Sequence, residues 1–362
     1  MEYFNSLVGF LSQPYIKLIL SLFVSFVITF YGIPAVVSLA KAKSLYDMPN
    51  CRTSHYSPIP RLGGTMIFAG VILSSVIFTS FFTAYELKYI IAGMIILFFL
   101  GLKDDIVSLT PYKKLIGQII AASVIVLAGN IRLTGFDKFI QNDLIAFAVS
   151  VFITIFLIVA LVNSINLIDG IDGLASGIAM IASAFFGAFF MNMGHVNYAI
   201  ICISLIGSLA AFTWYNVFGK KNKIFLGDTG STIIGFLMAV FVIRFIELTI
   251  SDQYQGTIES APAIAFAVLL FPIFDMLRIM VVRLLNKRPI FKADNNHIHH
   301  MVLKVFGTHL KSTIAILTIN VILIAITYFL RGLGSFLLII ILLGISLILT
   351  SILKYYIKKN SL

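Results

Sequence analysis

The sequence predicts an all-α, polytopic integral membrane protein with about eleven transmembrane helices, and three observations predict it. Of its 362 residues, 60% are hydrophobic and only 11% charged, where a soluble domain is nearer half apolar and a quarter charged. Its mean hydropathy is +1.04. Eleven apolar runs approach the roughly 20 residues that a helix needs to cross a bilayer. The length alone would suggest two soluble domains, but no polar stretch is long enough to be one, so residues 1–362 read as a single membrane domain.

In order, the first run, about 17–40, follows "MEYFNSLVGFLSQPYIK". That segment lacks a basic n-region and a small-residue cleavage site, and does not read as a cleaved signal peptide. The second, about 62–83, opens on Gly63-Gly64 after a proline-stiffened loop. The third, about 88–102, is short and ends at "LKDD". The fourth and fifth lie at about 115–130 and 144–162, the latter within "DLIAFAVSVFITIFLIVALV". The sixth and seventh lie at about 174–191 and 198–218. The eighth, about 231–248, starts as Thr229 and Ser231 pass into an apolar stretch. The ninth, tenth and eleventh lie at about 261–283, 313–330 and 334–353. No repeat, heptad seam or low-complexity segment interrupts them.

Lys and Arg set the orientation. Of the 26, 19 fall on one set of connections and five on the other, while Arg244 and Arg278 lie inside spans. The richer set is expected to be cytoplasmic, with the N-terminus outside and the C-terminus cytoplasmic. The net charge of +11 then reflects basic loops at a lipid bilayer and not a nucleic-acid partner. Of the two cysteines, Cys51 lies in a loop and Cys202 in a span, which argues against a disulfide and a cysteine metal motif.

The acids sort too. Glu2, Glu86, Glu247 and Glu259 fall at or near the outer face, whereas the inner side holds Asp47, Asp104, Asp105, Asp169, Asp172, Asp228, Asp275 and Asp294. Short carboxylates gathered on one face indicate a site built from loops at about 41–61, 103–114, 163–173, 219–230 and 284–312. "GLKDD" holds Asp104 and Asp105, whose mutual repulsion a nearby cation or metal would relieve. "NSINLIDGIDGL" places Asn163, Asn166, Asp169 and Asp172 at every third position, where helical neighbours meet. Helix capping explains one or two of these, not four. Gly170 and Gly173 leave room there for a planar ring to approach the backbone.

"KKNKIFLGDTGS" combines Lys220, Lys221 and Lys223 with a helix start, an arrangement that attracts phosphate. Asp228 would repel phosphate unless a divalent cation such as Mg²⁺ sits between them. "KADNNHIHH" holds His297, His299 and His300. Zinc is conceivable, but no cysteine or H-E-x-x-H pattern accompanies them, and imidazoles donating to a sugar or phosphate fit better. His195 and His309 read as structural. The loop "LYDMPNCRTSHYSPIPRLGG" adds Arg52, His55 and Arg61, suited to an anionic headgroup or nucleotide. Together the clusters are a layout for joining a water-soluble anionic substrate to a lipid phosphate.

The motifs "DMPNCRTSHYSPIPRLGG", "KDD", "NSINLIDGIDGL", "FLGDTGS" and "HIHH" resemble, in order, those of the polyprenyl-phosphate N-acetylhexosamine-1-phosphate transferases (glycosyltransferase family 4). The resemblance covers about residues 45 to 300. It implies that undecaprenyl phosphate attacks the β-phosphorus of a UDP-N-acetylhexosamine at the cytoplasmic face of a bacterial inner membrane. UMP leaves, and an undecaprenyl-diphosphate-sugar forms as the first membrane step of a cell-envelope glycan. Mg²⁺ is the implied cofactor, with Mn²⁺ as an alternative, and a second copy of the chain is a candidate partner. "HIHH" resembles the GlcNAc-1-phosphate branch that starts O-antigen, enterobacterial common antigen or teichoic-acid linkage units. The phospho-N-acetylmuramoyl-pentapeptide transferases have a longer "PxHHHFE"-like loop that is absent here. The sugar branch usually carries a basic residue in "DR-x-H", where Asp294 is followed by Asn295 and Asn296.

The resemblance implies Asp228 as metal ligand, with Asn166 as a second, neutral one. It implies Asp172 on the uracil imide, Asp169 supporting that loop and Lys114 on the diphosphate. Asp104 and Asp105 would position the lipid phosphate or act as its base, Asp105 being the better candidate for the base. Arg52, His55, Arg61, His297, His299 and His300 would complete the substrate contacts. A proton-coupled transporter is the rival reading, since it too keeps intramembrane carboxylates. Such proteins set them near the midplane within internal repeats, whereas here they lie at loop ends on one side.

Overall fold

The computed structural model describes residues 9, 12–43, 45, 59–80, 85–136, 139–250, 258, 260–287 and 297–360. Within these, thirteen α-helices follow in chain order: α1 (Pro14–Ala42), α2 (Gly63–Phe78), α3 (Leu87–Val107), α4 (Pro111–Ser123), α5 (Asp143–Ile168), α6 (Leu174–Asn192), α7 (Val196–Thr213), α8 (Gly227–Ile250), α9 (Ala261–Val268), α10 (Leu270–Leu285), α11 (Ile298–Phe306), α12 (His309–Phe329) and α13 (Ser335–Asn360). Short π-helical turns extend α4 over Val124–Ala128 and α7 over Trp214–Phe218. The protein is all-α.

Among the described residues, eight helices, counting the two π-extended ones whole, are long and apolar enough to cross a membrane, and the bent pair α9–α10 makes nine. Helix α2 is apolar but has 16 residues, and α3 carries Lys103, Asp104 and Asp105 near its end. With these two, a helix lies at the centre of each of the eleven apolar runs.

The ninth run is one continuous apolar stretch in sequence, yet its two helices meet at 81°. Pro272 explains the break, because its ring excludes the carbonyl four residues back, that of Val268, and it offers no N–H. The freed Val268 carbonyl accepts a hydrogen bond from Asn320 Nδ2 at 3.2 Å. Non-helical backbone among apolar helices persists where side chains satisfy it in this way.

Helix α8 is the axis of the fold, with 18 of its 24 residues buried by α2, α3, α5 and α6. Small residues let the backbones close in. A Cβ added to Gly64 would lie 2.0 Å from Gly230 N, one on Gly101 2.4 Å from Thr229 Cα, and one on Gly235 2.5 Å from Val162 Cα. The chain before α2 also pairs with the chain before α8, Gly63 and Gly64 N–H donating to the Phe225 and Leu226 carbonyls at 2.9 Å each. These contacts fix the first turn of α8, which begins with "GDTGS", against the ends of α2, α3 and α5.

Candidate active site

The site grows from that first turn. Gly227 takes φ +73°, with the Arg61 carbonyl and the Asp105 carboxylate against it. A helix start leaves backbone N–H groups without partners, and its dipole favours a negative charge. Asp105, at the end of α3, supplies both needs. Its Oδ1 accepts from the Asp228 N–H at 2.7 Å, and its Oδ2 accepts from the Thr229 N–H at 3.0 Å and the Thr229 hydroxyl at 2.6 Å. Asp105 is thus a helix cap delivered from a neighbouring helix, which is why "KDD" and "GDTGS" meet.

Asp104 turns the other way. It is buried, accepts the Leu109 N–H and pairs with the Lys114 ammonium. The same ammonium reaches Asp228 Oδ1 at 3.1 Å. Asn166, in the last turns of α5, donates from Nδ2 to Asp228 Oδ1 at 2.7 Å and to Ser231 Oγ at 2.8 Å. One turn earlier, Asn163 donates to Gln118 Oε1 at 2.9 Å and so ties α5 to α4. Asp104, Lys114, Gln118, Asn163, Asn166 and Asp228 line a cavity of about 20 Å³, room for one water or ion but not for a substrate. Two carboxylates with a cation between them and an amide alongside form a hard-oxygen donor set of the kind Mg²⁺ takes. The position of Lys114 marks where they accept positive charge.

A second polar cluster surrounds Asp172. Its Oδ2 lies 2.7 Å from Lys223 Nζ and 3.3 Å from His309 Nδ1. Burial alone would raise its pKa, but His309 and Lys223 outweigh this and hold the carboxyl below the usual range. The Asp172 carbonyl accepts from Thr313 at 2.8 Å, and the next residue, Gly173, donates its N–H to Asn216 Oδ1 at 2.7 Å. Asn216 also donates to the Ile224 carbonyl at 3.0 Å. It sits in the π-helical turn ending α7, a distortion frequent at functional sites, and joins the Asp172 loop to the strand-like approach to Asp228.

Asp169 caps α5 and is solvent-facing. Surrounding protein, then Asp228, Asp105 and Asp172, raise its pKa well above the ordinary value, with Arg61 opposing. Because the side chain reaches solvent, the like charges rather than burial carry that direction. Arg61 therefore belongs to the field of this site.

The ring expected against the glycines belongs to the protein itself. A Cβ on Gly170 would lie 2.3 Å from Nε2 of His299, and Gly173 takes φ +77° beside Val217. His299 is buried. Burial depresses the His299 pKa, Asp275 only partly opposing. Burial and then His299 and His297 bring His300 down to about 4. Both rings are neutral at pH 7. Gly170→Ala is expected to lower both melting temperature and activity, since overpacking costs about 1–3 kcal/mol. In a His299→Ala background the same substitution should cost little, and thermal and rate measurements on the four variants check this.

Asp104, Asp105, Lys114, Asn166, Asp169, Asp172, Asp228, Arg61 and His299 thus converge, with His297 and His300 flanking. Arg52, His55 and Asp294 lie outside the described residues. Sequence reasoning missed Gln118 and Asn216, counted Asp275 among the inner-side acids without giving it a role, and read His309 as structural although it touches Asp172. Asn216 and Asp275 had a signal, Asn216 being the one amide and Asp275 the one carboxylate within its apolar run.

Residues 87–246 match the family model described as glycosyl transferase family 4. The chain is 30% identical over 311 residues to a probable undecaprenyl-phosphate N-acetylglucosaminyl 1-phosphate transferase of Bacillus subtilis (strain 168), covering 86% of this chain and 84% of that one. It is 28% identical over 270 residues to the undecaprenyl-phosphate alpha-N-acetylglucosaminyl 1-phosphate transferase of Escherichia coli O157:H7, covering 74% and 71%.

Proposed function

This chain belongs to glycosyl transferase family 4, and from that premise we propose that it transfers N-acetylglucosamine 1-phosphate from UDP-N-acetylglucosamine to undecaprenyl phosphate. The products are UMP and undecaprenyl-diphosphate-N-acetylglucosamine, made at the cytoplasmic face of a bacterial inner membrane. The observation that carries this reading is the convergence of Asp104, Lys114, Asn166 and Asp228 at the start of α8, beside the separate Asp172–Lys223–His309 cluster. One cluster suits a diphosphate and the other a nucleobase.

A lipid-phosphate oxygen attacks the β-phosphorus, the bond from that phosphorus to the bridging oxygen breaks, and the bridging oxygen leaves with UMP. The second pKa of a phosphate monoester is near 6, so the lipid phosphate is mostly deprotonated at neutral pH and positioning outweighs proton removal. The geometry supports this. Both oxygens of Asp105 serve the α8 cap, and Asp104 is engaged by Leu109 and Lys114. Asp228 and Asn166, with Asp104 close by, would hold Mg²⁺, which supplies charge stabilisation to the transferring phosphoryl group. Lys114 neutralises the diphosphate. Asp172, held ionised by Lys223, accepts the uracil N3–H.

Purified protein with undecaprenyl phosphate, Mg²⁺ and a panel of UDP-sugars tests the reading through UMP release and the lipid product. Asp172→Ala is expected to raise KM for the UDP-sugar and reduce discrimination between UDP- and CDP-sugars. Cytosine has no proton at N3, and a site built on such a hydrogen bond rejects the wrong partner strongly. Mg²⁺ dependence should not change. Unaltered affinity and base selectivity in this variant would remove Asp172 from the nucleobase site.

A further inference from the structure

Asp275 belongs to none of the roles above. It lies one turn into α10, just past the break at Leu269, and is 0% exposed. A carboxylate buried this way costs several kcal/mol unless its charge is paired and hydrogen-bonded, and here it is. Oδ2 lies 2.9 Å from His297 Nδ1, Oδ1 accepts the Ile298 N–H at 2.9 Å, and Arg278 Nη2 lies 3.3 Å from Oδ1. His299 Nδ1 is 3.6 Å from Oδ2, and the His297 and His299 rings stack with centroids 5.3 Å apart. Ile298 opens α11, so its N–H is one of those a helix start leaves without a partner.

The opposite edge of His299 meets Gly170, between Asp169 and Asp172. One buried carboxylate on α10 therefore fixes the turn carrying the histidines, and that turn abuts the loop assigned to the nucleotide. We infer that Asp275 is a positioning residue for the sugar-phosphate transfer, holding His297 with its proton on Nδ1 and seating His299 against the Asp169–Asp172 loop. The inference rests on the function proposed above.

The same three side chains place one nitrogen or oxygen each within 4.8 Å of one another, which also matches a metal triad. The hydrogen-bond arrangement is favoured, because Arg278 and the Ile298 amide already compensate the carboxylate. A metal there would add positive charge beside a guanidinium.

Asp275→Asn tests the inference. It preserves size and the acceptor for Ile298, but offers an NH₂ group to His297 and so moves the ring proton to Nε2. Misplacing a group near the chemistry by about 1 Å can cost on the order of 10²-fold in rate. That loss is expected in kcat, with KM for the UDP-sugar raised as well, because His299 packs on the loop assigned to the nucleotide. In a His297→Gln background the same change should add almost nothing, because residues acting as a unit are non-additive. Independent multiplicative losses, or wild-type kcat in Asp275→Asn, would overturn the inference.

Nitrogen-15 spectra of histidine-labelled full-length wild-type protein provide a readout that depends neither on a variant folding nor on turnover. They should show His297 protonated at Nδ1, and assignment comes from His297→Gln. An Nε2–H tautomer, or stoichiometric zinc in the purified protein, would contradict the inference. A wild-type protein that transfers no sugar phosphate would instead contradict the proposed function, with the tautomer still readable.

Discussion

Asp228→Asn is expected to lower kcat by about 10²–10³-fold, the cost of losing electrostatic stabilisation at a transferring phosphoryl group. Oδ1 of Asp228 is where Lys114 and Asn166 meet, at 3.1 and 2.7 Å, so its charge organises the centre. Asparagine keeps the shape and one acceptor oxygen, and the melting temperature should move little. Steady-state rates at saturating substrates over a Mg²⁺ series measure the effect. A near-normal rate at ordinary Mg²⁺ would take Asp228 out of the reaction.

Asp105→Ala is expected to damage stability and rate together. It strips two backbone N–H groups and the Thr229 hydroxyl of their acceptor. Each buried donor left unsatisfied costs about 1–3 kcal/mol. The turn that loosens carries Asp228, and a misplacement of about 1 Å can cost on the order of 10²-fold in rate. Asp105→Asn retains one acceptor oxygen and should fall between alanine and wild type in both measures. Were Asp105 a general base, asparagine would abolish the rate as fully as alanine while leaving the melting temperature near normal. Paired thermal and kinetic measurements separate the two.

Much of this site was legible because membrane sequences make polar residues conspicuous. Asn166, Asp169 and Asp172 stood out at the end of a long apolar run, and Asp228 stood out between glycines. What the sequence concealed was pairing across distance. The two adjacent aspartates of "KDD" share one expected role in the sequence, with Asp105 favoured as the base, yet the fold gives Asp105 to the α8 cap and Asp104 to Lys114. The glycines were read as room for a ligand, but Gly170 makes room for His299. His309 and Asp172 are separated by 137 positions, and no local pattern links them. Asp275 stands among the inner-side acids in the sequence, but its role was hidden because the run around it reads as a single straight span. Only Pro272 signalled the bend, and nothing local signalled that the carboxylate beyond it would hold the histidine motif.

In the proposed reaction, phosphate travels with the sugar. UDP-N-acetylglucosamine labelled with ³²P in its β-phosphate tests this directly, in full-length purified protein supplied with undecaprenyl phosphate and Mg²⁺. Label is expected in the lipid diphosphate product, with UMP formed in equal amount and unlabelled. Label leaving in UDP, with a sugar on the lipid, would mean ordinary glycosyl transfer and would rule out sugar-phosphate transfer.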